Sequence, residues 1–232
     1  MPGRCSRQES KDRLSAEDER FSIELAGQDV NGDGVPDVVL YGYSGGAHCC
    51  WTYYVISLGE HPGLIAKFEN GRDAAFLKDE DTGRFYISTI DGAFDYFDGL
   101  CHACTPFPQV FLGIEGKTIV DTGPKFVEAY DKIIQENRAS LTAANSAAIV
   151  AMKTNPNESG SSDVYEAAAK VLSIVLAYLY SGREGQALHE LRTMWPKFDQ
   201  NRMWNLIQKQ RREGILRYVN DSSANRPTLQ HP

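Results

Sequence analysis

No stretch of this 232-residue chain is apolar for long enough to cross a bilayer. The longest run, AAAKVLSIVLAYLY from Ala167 to Tyr180, carries Lys170 and Ser173 and falls short of the roughly twenty apolar residues that a spanning helix needs. The first twenty residues, MPGRCSRQESKDRLSAEDER, lack the apolar core of a secretion signal and read as a charged, mobile lead-in. A surplus of positive charge is missing as well: the formal net charge is −7. Residues 1–123 hold 20 acidic against 10 basic side chains, residues 124–180 hold 6 against 5, and residues 181–232 hold 5 against 9. A mainly acidic surface repels phosphate, and the basic C-terminal part has no dense Lys/Arg stripe with interleaved aromatics, so a nucleic-acid partner is disfavoured. What remains is ordinary globular composition, 42% apolar, enough for one large domain or two small ones.

The first half reads as β. Between Phe21 and Thr122, segments rich in β-branched and aromatic residues (DVVLYGY, WTYYVISL, GLIAKFE, RFYISTI, QVFLGI and KTIVD) alternate with Gly and Asp turns. Glu115-Gly116 is placed to close the last pair as a hairpin. After Gly123-Pro124 the period changes. KFVEAYDKIIQENRASLTAANSAAIVAMK sets Phe126, Tyr130, Ile133, Ile134 and Leu141 at helical spacing, and the polar TNPNESGSS interrupts it. Asp163 and Glu166 resemble a capping box that opens a nearly all-apolar helix ending at Ser181-Gly182. Two amphipathic helices follow, separated by Pro196, with Asp199 as the N-cap of the second. The expectation is an α+β chain: a lead-in over 1–20, an antiparallel β domain over 21–123, a small α-helical domain over 124–219 and a disordered tail over 220–232.

The most specific chemistry lies in DVNGDGVPDVVLYGYSGGAHCC, residues 29–50. Asp29, Asn31, Asp33 and Asp37 fall at positions 1, 3, 5 and 9 of a loop, with Gly34 at position 6 and Val35 at position 7 offering its carbonyl. Alternate oxygen side chains on a tight turn suit a hard cation that takes about six to eight oxygens, which points to Ca2+. An EF-hand needs a bidentate Glu at position 12, where Leu40 stands, and a helix on each side, whereas this loop runs into a strand. The bland alternative is an Asx-rich turn.

These residues resemble the calcium-loop repeats of the FG-GAP and VCBS class, and in particular a bacterial secreted group with an acidic loop, a strand and an SGGAHCC box. The resemblance spans about residues 25–123 and implies two propeller-blade-like repeats, with calcium on Asp29, Asn31, Asp33, Asp37 and the Val35 carbonyl. The second copy, LKDEDTGRFYISTIDGAFDYF, keeps Asp79 and Asp81 but is short and lacks the later ligands, so it is not expected to bind metal.

Two rival chemistries share the stretch. Gly42-Tyr43-Ser44-Gly45-Gly46 fits the G-x-S-x-G nucleophile turn, which must lead into a helix, while AHCCWTYYVISL has strand composition. His48, Cys49, Cys50, Cys101, His102 and Cys104 offer zinc ligands, but adjacent cysteines rarely chelate one metal and CHAC has no second C-x-x-C. In CHAC the haem-attachment order fails at Thr105, and Pro106 and Pro108 break the helix that a thioredoxin-like site needs. Cross-links are the reading that fits best. One of Cys49 or Cys50 joined to one of Cys101 or Cys104 closes a loop of roughly fifty residues, worth on the order of 4 kcal/mol by the chain-entropy model. A second bridge between the other two requires one cluster to be irregular, because neighbouring strand residues point to opposite faces. Cys5 has no obvious partner.

DGAFDYFDGLCHACTPFP crowds Phe94, Tyr96, Phe97 and Phe107 among Asp91, Asp95 and Asp98. Tyr96, Phe97, Asp95 and Asp98 form a possible ligand surface, against the plainer reading of strand packing with acids facing water. Tyr178, Gly182 and Ala187 have tetratricopeptide hairpin spacing, but one unit alone makes no repeat array. Met194, Trp195, Met203 and Trp204 read as core. The functional expectation is a non-enzymatic, calcium-binding interaction module that is periplasmic or secreted and recognises a protein or glycan partner. The alternative is a hydrolase using Ser44 or a zinc site at the Cys/His clusters.

Overall fold

The computed structural model describes residues 21–45, 50–154 and 162–220. The expected lead-in, Cys5, His48, Cys49, most of the TNPNESGSS break and the tail beyond Asn220 lie outside the described residues.

The protein is α+β, with strands preceding helices. β1 (Phe21–Gln28), β2 (Asp37–Tyr43), β3 (Trp51–Ser57) and β4 (Gly63–Asn70) form one antiparallel sheet in chain order. β5 (Ala74–Lys78), β6 (Phe85–Ile90), β7 (Gln109–Glu115) and β8 (Thr118–Asp121) form a second in the same way. Sequential strands are neighbours throughout, so each sheet is a meander, although the connection from β6 to β7 is long, spanning residues 91–108. In the first sheet the pairs Val39↔Val55 and Tyr53↔Phe68 bring buried side chains together, and the Tyr53 and Phe68 rings stack at 5.0 Å. That is the two-residue period of a strand with one covered face. β7 differs, because Val110, Phe111, Leu112 and Ile114 are all buried, the signature of a strand covered on both faces. Phe111 stacks on Phe126 at 4.2 Å and meets Tyr130 edge-on, so the helices supply the second cover.

Five helices follow: α1 (Val127–Ala139), α2 (Ala143–Thr154), α3 (Ser162–Tyr180), α4 (Glu184–Met194) and α5 (Gln200–Glu213). α3 is the spine, packed against α1, α2 and α4, with Ala167, Ala168, Val171, Leu172, Ile174, Val175 and Leu176 buried on every side. It ends in a Schellman motif: Gly182 N–H bonds Leu179 O and Arg183 N–H bonds Tyr178 O, with Gly182 at φ +79°. Trp195 and Met203 are buried, with Met194 and Trp204 partly so, which makes this aromatic and thioether cluster core.

Three local expectations shift. The helical pattern over 125–153 splits, because Thr142 Oγ1 accepts the Asn145 N–H at 3.2 Å while Asn145 Oδ1 accepts the Thr142 N–H at 2.7 Å. That reciprocal cap starts α2 afresh. α3 opens at Ser162, so Asp163 lies within its first turn and does not precede it. In the last hairpin Glu115 pairs with Thr118, and the two-residue loop is Gly116-Lys117, one residue later than expected.

The two halves share one hydrophobic core and several buried hydrogen bonds. Tyr180 Oη donates to Asp91 Oδ2 at 2.7 Å, and Tyr130 Oη donates to the Gln109 carbonyl at 3.0 Å. After α5 the chain turns through a 3-10 segment, Ile215–Tyr218, that packs on β4; Val219 then bridges Ile119 of β8 in parallel.

Candidate functional site

The acidic loop connects β1 to β2. Its first aspartate organises it: Asp29 Oδ1 accepts the Gly32 and Asp33 N–H groups at 2.8 and 3.0 Å, and Oδ2 accepts the Gly34 N–H at 2.8 Å. Asp33 Oδ1 takes the Val35 N–H, and Asn31 Nδ2 reaches Asp33 Oδ2 and the Gly116 carbonyl across the sheets. Asp37, the last oxygen residue of the pattern, is 0% exposed. Its Oδ2 accepts the Val30 N–H at 2.8 Å, and its Oδ1 is buried with no hydrogen-bond partner. Burial raises the Asp37 carboxyl above the usual carboxylate range; the Val30 and Asn31 N–H groups oppose this, and the Asp33 and Asp29 charges add to it. The donor set is oxygen only, the chemistry of a hard cation. Among the described residues, no three His, Cys, Asp or Glu side chains converge as a metal cage.

The loop joining β5 to β6 occupies the same place in the second sheet. Asp79 Oδ1 accepts the Asp81 and Thr82 N–H groups at 2.9 and 3.1 Å, and these bonds hold its carboxyl below the usual range. Asp79 thus spends its carboxylate on a tight turn. Both loops line one cleft of about 390 Å³, whose lining includes Asp29, Asp79, Arg84, Lys125, Tyr86 and Phe126. Neither Arg84 nor Lys125 stands out in the sequence, since an isolated base beside a turn carries no pattern.

Ser44 closes the connection from β2 to β3. Its N–H bonds Cys50 O at 3.1 Å and its Oγ accepts the Cys50 N–H at 2.9 Å. β3 begins at Trp51, so the chain goes from strand to strand, whereas a nucleophile elbow leads into a helix.

The cysteine pairing differs from expectation. Cys101 and Cys104 are bonded to each other, and Cys50 is also in a disulfide. No bridge therefore joins the first cluster to Cys101 or Cys104, and these three sulfurs are not available as zinc ligands. The physical reason is local: residues 101–104 form a 3-10 turn, Cys104 N–H to Cys101 O at 2.9 Å, which brings the two side chains together. A loop this short removes only about 2 kcal/mol of chain entropy in the same model that gives about 4 for fifty residues.

The segment from Asp91 to Thr105 is a series of 3-10 turns, not strand. Of the four residues expected to face a ligand, only Tyr96 is exposed. Phe97 is buried against Phe94, with ring centroids 5.0 Å apart. Asp95 Oδ1 lies 2.7 Å from His102 Nδ1, and Arg72 Nη2 lies 2.8 Å from His102 Nε2. Arginine only donates, so Nε2 accepts and Nδ1 carries the proton given to Asp95. Asp98 is held by both Nη atoms of Arg202, at 2.7 and 2.9 Å. Arg202 also binds Asp199, whose Oδ2 takes the Trp195 Nε1–H at 2.8 Å. Asp199 is the N-cap residue of α5 as expected, but its carboxylate serves Trp195 and Arg202 instead of the helix N–H groups.

Asp91 lies deeper. It is 0% exposed, receives the Tyr180 hydroxyl and the Ala93 and Ile215 N–H groups, and is raised above the usual carboxylate range by burial. Nothing in its local sequence separates it from its acidic neighbours. Compared with protein-family models, characterised proteins and solved structures, the chain matches none.

Proposed function

We propose that the protein is a calcium-binding, non-enzymatic interaction module that works in the periplasm or outside the cell and recognises a protein or glycan partner. Asp37 carries this reading. A fully buried carboxylate with one oxygen unpaired and two further carboxylates near it is costly unless a proton or a cation neutralises it. Asp29, Asn31, Asp33, Asp37 and the Val35 carbonyl would hold Ca2+, which as a hard cation accepts such oxygens in a flexible geometry. The ion would supply charge neutralisation and stiffen the entry to β2.

The blade-like reading draws support from the topology. Each sheet is a four-stranded meander in chain order, and in each an acidic turn joins the first strand to the second. On the FG-GAP/VCBS reading these are two successive repeats, with the second loop degenerate. The disulfides favour an oxidising compartment, where free calcium is also plentiful. The cleft shared by the two loops, whose lining includes Arg84 and Lys125 as well as Asp29 and Asp79, is the surface offered to the partner.

The test is calorimetric titration of the chelator-treated protein with calcium and, separately, magnesium. Calcium is expected to bind at one site and to raise the melting temperature. Melting curves that coincide with calcium and with chelator overturn the proposal.

A further inference from the structure

We propose that Cys101–Cys104 is an exchangeable disulfide that oxidises an external dithiol or two monothiols, with Cys101 as the sulfur attacked. This inference stands apart from the calcium loop and needs none of its residues; the exchange is stoichiometric, one disulfide per chain, and involves no catalytic turnover. Three observations carry it.

The two cysteines are three positions apart, so the bond is held by little loop entropy. Their exposure is unequal: Cys101 is exposed, while Cys104 is partly buried against the hydrophobic core. An incoming thiolate therefore reaches Cys101 first and Cys104 leaves.

The frame around the pair does not depend on the S–S bond. Thr105 Oγ1 donates to Cys101 O at 3.0 Å and accepts the Tyr96 N–H at 3.1 Å. Between the cysteines, His102 is clamped by Asp95 on one ring nitrogen and Arg72 on the other, with the Arg72 guanidinium 4.5 Å from the Phe107 ring centroid. A reduced pair thus stays in place and near enough to close again. Tyr96, half exposed with its ring 5.8 Å from that of His102, offers a contact for a peptide bearing the thiols.

The chemistry balances as ordinary thiol–disulfide exchange. A thiolate of the reductant attacks Cys101 Sγ, the Cys101–Cys104 bond breaks, and Cys104 leaves as thiolate and takes a proton from water. A second thiol gives up its proton and attacks the reductant sulfur joined to Cys101. Cys101 leaves as thiolate and is protonated in turn. Two electrons pass to the pair and the reductant becomes a disulfide. No thioredoxin fold is involved, since Pro106 and Pro108 follow the turn where such a site has its helix.

The experiment equilibrates the full chain in glutathione buffers, which leave structural disulfides oxidised. It then quenches with acid, alkylates and weighs the peptide containing residues 101–104, while near-UV circular dichroism follows the fold. Substantial reduction of the pair in the folded protein is expected. With oxidised glutathione, Cys104→Ser should form a mixed disulfide at Cys101 on the order of tenfold faster than Cys101→Ser forms one at Cys104. A pair that stays oxidised until the near-UV signal collapses overturns the proposal, as do equal rates in the two variants.

Discussion

Asp91 and Tyr180, 89 residues apart in the chain, share a 2.7 Å hydrogen bond in the interior, where the second sheet meets the helical spine. Tyr180 is pushed well above the usual phenol range, first by burial and then by the Asp91 charge, so it stays protonated and donates. Asp91 is raised in turn by burial. A carboxyl raised in the folded state favours folding most below the ordinary carboxylate range. That contribution is lost as pH rises through the folded value.

Asp91→Asn should therefore flatten the decline in stability on going from about pH 4 towards neutrality, because it removes the buried charge. Its Oδ1 can keep the Ala93 and Ile215 N–H groups, and its amide can donate to Tyr180 Oη. Asp91→Ala should instead lose about 2–4 kcal/mol, since three donors are left without an acceptor. Urea denaturation of the three proteins at pH 4.5 and 7.5 checks both.

Gly214 lies so close to Asp91 that an added Cβ would overlap both carboxylate oxygens, well inside van der Waals contact. Gly214→Ala is expected to cost about 1–3 kcal/mol or more by overpacking, with the loss reduced in an Asp91→Ala background. The double-mutant cycle measures that coupling.

Arg202 ties the turn at Asp98 to Asp199 at the start of α5, with Asp98 as the first cause of its raised guanidinium value. Its side chain is 49% exposed, so solvent screens the pair. Arg202→Met should cost less than about 1 kcal/mol, and the difference should shrink in high salt. Melting temperatures in low and high salt show it.

Asp37→Asn separates the calcium reading from a plain Asx turn. Without calcium the variant should be at least as stable as the parent, because a buried charge has gone and the Val30 N–H keeps an acceptor. Its response to calcium should vanish, whereas the parent gains about 2.7 kcal/mol at calcium a hundredfold above its dissociation constant. pH sharpens the contrast: in chelator the raised Asp37 carboxyl contributes stability that fades as pH rises above the ordinary carboxylate range. With calcium bound the sign reverses. Thermal melts of both proteins across pH, with calcium and with chelator, decide the point.

Much of the β half was legible because its strands bury one face or both. β2, β3, β4, β6, β7 and β8 lie within a residue of the segments that period and composition mark. β1 was less so: FSIELAGQ is exposed almost throughout and owes its place to pairing with β2, a tertiary cause that leaves little local trace. Thr142 and Asn145 carry a local signal for the break, since a Thr three residues before an Asn can cap a helix reciprocally even inside a long helical pattern. The acidic loop was legible as an oxygen-rich turn. That Asp37 would bury one oxygen without a partner was not, because burial depends on what the sheets place around it. Arg72 on His102 and Arg202 on Asp98 join residues 30 and 104 positions apart, beyond the reach of any spacing rule.

The segment that follows α5 has a consequence for how the molecule keeps to itself. Ile215–Tyr218 lies on β4, and Val219 with Asn220 occupies the outer side of β8, with Asn220 N–H bonding Ile119 O at 2.9 Å. These six residues shield one outward strand of each sheet. A chain cut after Glu213 would bare two templates for foreign strands at once, and clumping of otherwise folded molecules, ahead of any melting, would be its first symptom.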